Sequence, residues 1–391
     1  MTLYLNTKRQ YENYKELSQE KYFVDKSEII SIINENISTK SKYICVTRPR
    51  RFGKSSVADM LGAYYSKAID SKAIFDKLKI SKNDDYLEKL NKYNVISISF
   101  AEIDSNCSNC VEYIDRISNL LREDLKEKFP KANIDEKYTI WEVFSKLDEK
   151  FIFIFDEWDY IFNANIFEVD QDKFLEFLMK LLKDKPYVAL AYMTGILPIK
   201  KYSSGSSLNM FDEFTILNDM IYGEYFGFTE EEVKMLCDKQ SSISFDEISS
   251  WYNGYLSEEG TRIYNPRSVI KALKNKKCKS YWTNTGAMDE VEEYLKYNIL
   301  EIRDEVIEMV SGEEIDIFID EEFRAGQGTP KTKEEIYSAM IVLGFLSYND
   351  GYLKIPNKEL MIEFEKALRD KSFGYVSEII ENSKKMLKST I

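Results

Sequence analysis

Hydrophobic and polar positions fall into two regimes along the chain. In the first, short apolar runs alternate with longer stretches in which apolar residues recur every three to four positions. Tyr43-Ile44-Cys45-Val46-Thr47 halts at Pro49 and predicts a buried strand entering a loop; Val57, Met60, Leu61 and Tyr64 then set a helical period over residues 56–65. Val95-Ile96-Ser97-Ile98-Ser99-Phe100 predicts a second strand, followed by a helix with Val111, Ile114, Ile117, Leu120, Leu121 and Leu125 on one face. Phe151-Ile152-Phe153-Ile154-Phe155 predicts a third strand that ends in Asp156-Glu157. A helix over 173–182 leads to a fourth strand over 187–193, which stops at Thr194-Gly195. Strand and helix in alternation predict an α/β core with a doubly wound parallel sheet, whose site lies at the carboxyl ends of the strands.

The second regime begins near Thr229, where the pattern turns to helices with acidic faces, the first opened by a capping box of Thr229 and Glu232. Farther on, a helix over 332–343, two short runs around Phe345-Leu346-Ser347-Tyr348 and Tyr352-Leu353-Lys354-Ile355, and a helix after Pro356 predict a winged-helix-like unit. Asn349-Asp350-Gly351 is the hairpin turn between the runs. The expected division is a core over 1–225, a helical lid over 226–325 and a winged-helix-like tail over 326–391.

Composition narrows the chemistry. A chain of 391 residues can hold two or three domains, and no apolar run nears the ~20 residues that cross a bilayer, so no membrane partner is expected. Five cysteines, an odd number, fit a reducing cytoplasm better than a disulfide framework. Cys107 and Cys110 have metal-site spacing but no second pair, and read as ordinary thiols. The net charge of -13 argues against generalised nucleic-acid binding and leaves only a local basic patch open. There is no histidine, which removes Ser-His-Asp and Cys-His nucleophiles and HExxH zinc sites together. Chemistry is left to carboxylates, Lys, Arg, Ser, Thr and Cys.

Arg48-Pro49-Arg50-Arg51-Phe52-Gly53-Lys54-Ser55 matches GxxxxGK[ST] except at its first position, where Arg48 lacks a glycine's freedom at positive φ. In such a loop, backbone N–H groups through Ser56 cradle phosphates, Lys54 reaches the β and γ oxygens, and Ser55 holds Mg²⁺. Asp156-Glu157 at the end of an apolar strand supplies the complementary pair: Asp156 on Mg²⁺ and Glu157 activating a water. A full strand and helix separate the 48–55 loop from the Asp156 strand, the additional-strand arrangement of P-loop NTPases. Thr194, ending the next strand, is then a candidate γ-phosphate sensor, and a Thr-Gly turn is its bland alternative. Arg262 and Arg267 are candidates for a γ-phosphate sensor or a trans-acting arginine, with surface ion pairs as the bland alternative, while Trp251, Tyr252, Tyr255, Tyr281 and Trp282 fit a core better than a base-stacking surface.

Together with Tyr22-Phe23-Val24-Asp25-Lys26, Thr194-Gly195-Ile196-Leu197-Pro198, Trp251-Tyr252-Asn253-Gly254-Tyr255, Tyr264-Asn265-Pro266, Tyr281-Trp282 and Thr285-Gly286, these motifs resemble the bacterial AAA-ATPase-like family. The resemblance runs from about Tyr22 onward and makes the arginine-rich 48–55 loop a family feature. It implies an ATPase with ATP and Mg²⁺ as cofactors. Members usually continue into a PD-(D/E)XK nuclease domain, whose motif finds no place here, so nuclease activity is not carried over.

The expectation is therefore ATP hydrolysis serving as motor or switch of a nucleic-acid-directed or defence-related system, with an effector or nuclease partner and homo-oligomer left open. Alternatives are a nucleotide-gated binding module with little hydrolysis, and a small-molecule kinase; Glu157 beside Asp156 favours water activation over the latter. In the tail, Lys331, Lys333, Lys354, Lys358 and Lys366 are offset by Glu334, Glu335, Glu359, Glu363 and Glu365, so weak DNA binding at most is expected of it.

Overall fold

A computed structural model describes residues 2–199, 208–258, 260–282, 302–319 and 332–369. The chain forms two compact units, one of Met1–Arg48 with Gly53–Thr215 and the other of Pro49–Phe52 with Ile216–Ile391.

In the first unit, α1 (Arg9–Ser18) and α2 (Ile29–Asn34) precede β1 (Tyr43–Thr47) and α3 (Lys54–Tyr65). Two single-turn helices, α4 (Lys72–Phe75) and α5 (Tyr86–Lys89), lead to β2 (Asn94–Ser99), α6 (Cys110–Lys128) and α7 (Ile140–Lys146). Then come β3 (Phe151–Asp156), α8 (Tyr160–Asn163), α9 (Gln171–Leu182), β4 (Val188–Gly195) and β5 (Asp212–Phe214). The five strands make one sheet in the order β2-β3-β4-β1-β5, with every neighbouring pair parallel. Helices cover a sheet of this kind on both faces, which is why β1, β4 and Phe151 to Phe155 of β3 are apolar or buried without alternation. Aromatic edges close the core: Phe100 meets Phe174 at 4.9 Å and Phe144 meets Phe151 at 5.0 Å.

Two readings of this unit change. The buried face of α6 is Cys110, Tyr113, Ile117, Leu121 and Leu125, in phase with a 3.6-residue turn, and Val111 faces solvent instead. Asp212-Glu213-Phe214 has no apolar run to announce it, yet it pairs with β1 as an edge strand, where a half-exposed polar strand is tolerated.

The second unit contains β6 (Phe228–Thr229), α10 (Glu230–Asp238), α11 (Phe245–Tyr252), β7 (Tyr255–Leu256), β8 (Arg262–Tyr264) and α12 (Pro266–Asn275). It continues with α13 (Ile302–Ser311), β9 (Ile315–Asp316), α14 (Lys333–Leu343), β10 (Ser347–Asn349), β11 (Tyr352–Lys354) and α15 (Lys358–Arg369). The expected Thr229 capping box opens α10, and a second one, Thr332 with Glu335, opens α14. The region is not only helical. Two antiparallel sheets, β6-β8-β7 and β10-β11-β9, are built from strands of two or three residues, too short to show a period of two in sequence. Asp350 (φ 50°) and Gly351 (φ 88°) turn the β10–β11 hairpin with both central residues left-handed, as a two-residue turn between twisted strands demands. Thr285-Gly286, Lys331 and the tail from residue 370 lie outside the described residues. Among the described residues no helix is long and apolar enough to cross a membrane.

Candidate active site

The site begins where β1 gives way to α3. Arg48 is buried; its Nη1 donates to the carbonyls of Thr47 (2.7 Å) and Phe214 (3.0 Å), and its backbone N–H to Gly195 O (3.1 Å). Arg48 therefore ties the ends of β1, β4 and β5 together. Its φ is not in the left-handed region; that conformation falls to Arg51 (φ 74°) and Gly53 (φ 91°), so the first loop position makes no demand for glycine. Gly53 starts α3, and Lys54, only 8% exposed, turns its Nζ back onto Arg48 O at 2.9 Å. Ser55 is exposed and Ser56 partly buried on the same first turn.

Pro49, Arg50, Arg51 and Phe52 count with the second unit. There Phe52 O accepts the Gly227 N–H at 3.0 Å, the Phe52 ring meets Tyr255 edge-on at 5.1 Å, and Asn265 Nδ2 approaches Arg50 O at 3.5 Å.

The sheet delivers the carboxylates to the Lys54 turn. Ser55 hydrogen-bonds the Asp156 carboxylate at the end of β3. Burial raises the Asp156 carboxyl above its ordinary range, and the Ser55 bond and the Lys54 charge oppose that rise. Glu157 follows in a left-handed conformation (φ 51°) that a non-glycine residue adopts at a cost of about 1–3 kcal/mol, and its backbone N–H donates to Asp156 Oδ1 at 3.0 Å. Ser99 Oγ at the end of β2 lies 3.5 Å from Glu157 Oε2. Desolvation and then the Asp156 charge push the Glu157 carboxyl upward, against the pull of Lys54. A carboxylate with raised proton affinity next to a lysine suits a group that takes a proton from water.

Thr194 stands opposite Asp156 on β3 and opposite Val46 on β1, because β4 runs between those strands. It is fully buried, and its Oγ1 has no hydrogen-bond partner among the described residues. Lys54, Ser55, Asp156, Glu157 and Thr194 thus share the carboxyl edge of one sheet.

Two further residues bear on this edge. Asp159 is 2% exposed, and its Oδ2 accepts the N–H groups of Ile196 (3.0 Å) and Leu197 (2.8 Å), clamping the turn that follows Thr194. Trp158 N–H adds a bond to Thr194 O at 3.2 Å. Gly195 must be glycine here, since a Cβ would lie 2.4 Å from Asp159 Oδ1 and 2.8 Å from the Trp158 ring. The signal was present in Asp156-Glu157-Trp158-Asp159, but nothing in one strand's sequence tells which backbone a carboxylate three residues on will meet. Asp59, one turn along α3 from Ser55, is raised to about 7 by burial, opposed by its bond from Asn13 Nδ2 (3.1 Å) and reinforced by the Asp156 charge.

Other motif residues are structural. Asp25 accepts from the Ser27 and Lys79 N–H groups at 2.9 and 2.7 Å, and Ser27 Oγ accepts from Ile80 N at 3.1 Å, so the Tyr22 to Lys26 segment staples a turn of the first unit. Tyr252, Tyr255, Tyr281 and Trp282 are buried, while Trp251 is half-buried under Lys358, whose Nζ sits 4.5 Å from the ring centroid. Arg262 makes an exposed ion pair with Glu230 at 3.2 Å.

Against this geometry, residues 10–204 match the family described as predicted AAA-ATPase. That segment belongs to the AAA-ATPase-like family. No curated protein sequence matches the chain. Among solved structures, it is similar to the Walker-type ATPase PABY2304 of Pyrococcus abyssi at 14% identity and a TM-score of 0.45, over 87% of this chain and 94% of that one. It is also similar to the ORC2 protein of Aeropyrum pernix, solved as ADPNP-ADP complexes, at 10% identity and a TM-score of 0.40, over 92% and 94% of the two chains. A third similarity is to the ORC1 protein of Aeropyrum pernix in complex with DNA, at 11% identity and a TM-score of 0.31, over 89% and 91%.

Proposed function

We propose that the first unit binds Mg-ATP and hydrolyses it to ADP and phosphate. The observation that carries this reading is the Ser55 to Asp156 hydrogen bond beside Lys54, at the carboxyl edge of a sheet in which β4, ending at Thr194 and Gly195, separates β1, which leads to the Lys54 turn, from β3, which ends at Asp156. Helix α3 begins at Lys54, so its free N–H groups and positive end face the same place, which suits a polyphosphate.

The donor set fits Mg²⁺: a serine hydroxyl and a carboxylate already in contact are hard oxygen ligands, and a divalent charge would offset the burial of Asp156. Ser55 and Asp156 would hold the ion, which neutralises charge on the β- and γ-phosphates when bound. Lys54 exchanges the Arg48 carbonyl for phosphate oxygens, with backbone N–H groups of the turn from Gly53 to Ser56 as cradle. Glu157 orients a water and accepts its proton, while Thr194 Oγ1, buried and without a partner among the described residues, senses the γ-phosphate from between the two strands.

In this reading residues 226–325 act as a lid and 326–391 as a winged-helix-like relay to an effector, which makes the protein the motor or switch of a nucleic-acid-directed or defence-related system. The deciding experiment is calorimetry with Mg-ATP. Lys54→Ala abolishes binding, and unchanged affinity in that variant overturns the site.

A further inference from the structure

The chain carries a net charge of -13, yet from Thr261 to Met288 it has seven arginines and lysines and no aspartate or glutamate. Five of the seven, Lys271, Lys274, Lys276, Lys277 and Lys279, fall within nine residues at the end of α12 and just beyond it, in the second unit.

Burial decides which way they face. α12 packs with Ser268, Val269, Ala272 and Leu273 inward, which leaves Lys271, Lys274 and Asn275 to solvent. The helix ends at Lys276 in a left-handed conformation (φ 53°), where the Lys277 N–H returns to Ala272 O at 3.1 Å. Lys276, Lys277 and Lys279 are exposed while Cys278 turns in, so five ammonium groups form one ridge.

The second unit offers these charges little in return. Among the described residues the side chains of Lys271, Lys276 and Lys277 make no ion pair or hydrogen bond, and Lys279 lies over the Tyr281 ring, 5.3 Å from its centroid. Glu247 on α11 reaches this stretch but is hydrogen-bonded by the Cys278 thiol. Glu359 meets the inward face of α12, where Ser268 Oγ donates to both its oxygens at 3.0 and 2.8 Å; burial raises its carboxyl to about 7, opposed by its hydrogen bonds from Tyr281 and Ser268. Helix C-termini favour cations only over the last turn, and Lys274 is the basic residue there. Like charges three or four positions apart weaken a helix, and glycine, not lysine, ends one in the left-handed region without strain. Lysines gathered against these preferences call for an anionic partner.

The surroundings choose among polyanions. No exposed apolar residue lies between Lys271 and Lys279. A protein interface has an apolar core depleted in lysine, and a helix lying on a membrane needs an apolar face to insert. Single strands are held by stacking on aromatic rings, whereas Tyr281 and Trp282, which follow Lys279, are buried.

We propose that this ridge binds the phosphate backbone of a nucleic-acid duplex without reading its sequence. Lysine ammonium groups act on phosphates as point charges, and such contacts position a protein while carrying no sequence information. The contact extends the nucleic-acid-directed reading of the chain and stands whether or not the first unit hydrolyses ATP.

The test is fluorescence anisotropy of the full chain against labelled duplexes of two unrelated sequences, in EDTA and without nucleotide, over a series of salt concentrations. Wild type binds both alike, and log affinity falls against log salt with a slope of about -4, at ~0.9 for each phosphate neutralised by a lysine. The triple variant Lys271→Gln, Lys276→Gln, Lys277→Gln flattens that slope by about 3 and weakens binding tenfold or more at low salt. A control triple variant, Lys126→Gln, Lys128→Gln, Lys131→Gln, removes the same charge from exposed lysines of the first unit and binds as wild type, as does Lys54→Ala. No binding by wild type, a marked preference for one sequence, equal loss in the two triple variants, or a loss in Lys54→Ala overturns the proposal. Tighter binding to single strands, polyglutamate or phosphatidylserine vesicles than to the duplex overturns it as well. Circular dichroism melts check that the variants are folded; if the ridge triple variant is not, Lys277→Glu, beyond the end of α12, decides alone, and wild-type affinity in it overturns the proposal.

Discussion

Replacing Asp159 tests whether the turn after Thr194 is held by one carboxylate. In Asp159→Ala two backbone donors lose their acceptor, the buried Leu197 N–H at 2.8 Å and the part-buried Ile196 N–H at 3.0 Å. A fully buried orphan donor costs about 2 kcal/mol and a part-buried one about 1, so unfolding free energy falls by about 3 kcal/mol. Asp159→Asn keeps a carbonyl oxygen where Oδ2 lies and can accept both bonds, so it loses about 1 kcal/mol or less. Urea denaturation with a shared m-value reads both numbers. Because Trp158 N–H and the clamped turn together fix Thr194, the alanine variant also lowers kcat more than it weakens Mg-ATP binding. A destabilisation below about 1 kcal/mol in Asp159→Ala, or equal damage from alanine and asparagine, refutes the acceptor argument.

Glu157→Gln keeps Mg-ATP bound but slows turnover by about 100-fold, as expected when a water-activating base is lost; wild-type turnover in single-turnover assays makes Glu157 structural. Glu359, 1% exposed, has its carboxyl raised from 4.5 to about 7, so between those values the folded protein keeps a proton that the unfolded chain has released. Stability therefore falls by about 3 kcal/mol as pH rises through that window and is level above it. Glu359→Gln removes this dependence, and melting curves from pH 4.5 to 8 that run parallel for both proteins contradict it. Gly195→Ala drives a methyl into Asp159 and Trp158 and lowers stability by about 1–3 kcal/mol, read as a drop in melting temperature.

Much of the first unit was legible because its strands are buried on both faces: a run such as Phe151 to Phe155 leaves no other reading, and the 48–55 loop and Asp156-Glu157 fall at strand ends where ligands bind in such sheets. The second unit was harder. Strands of two or three residues have no measurable period, and their partners lie far along the chain: Leu353 pairs with Ile315 on one side and Tyr348 on the other. Apolarity alone places Val111 on the inner face of α6, whereas the helical phase turns it to solvent.

By itself, the sequence determined which local elements form and in what order, and which chemistry is open to a chain with lysine, serine and paired carboxylates but no histidine. Those properties depend on neighbours a few positions apart. Tertiary structure alone decided that the Thr194 strand lies between β1 and β3, that Ser55 meets Asp156, that the Asp159 carboxylate closes on backbone 37 and 38 residues away, and that the Arg48 guanidinium reaches a carbonyl 166 residues on. Each of these pairs joins groups whose separation along the chain carries no periodic signal. They meet because burying an apolar sheet fixes one strand order, and the polar groups at its edge must then find partners in what that order brings near.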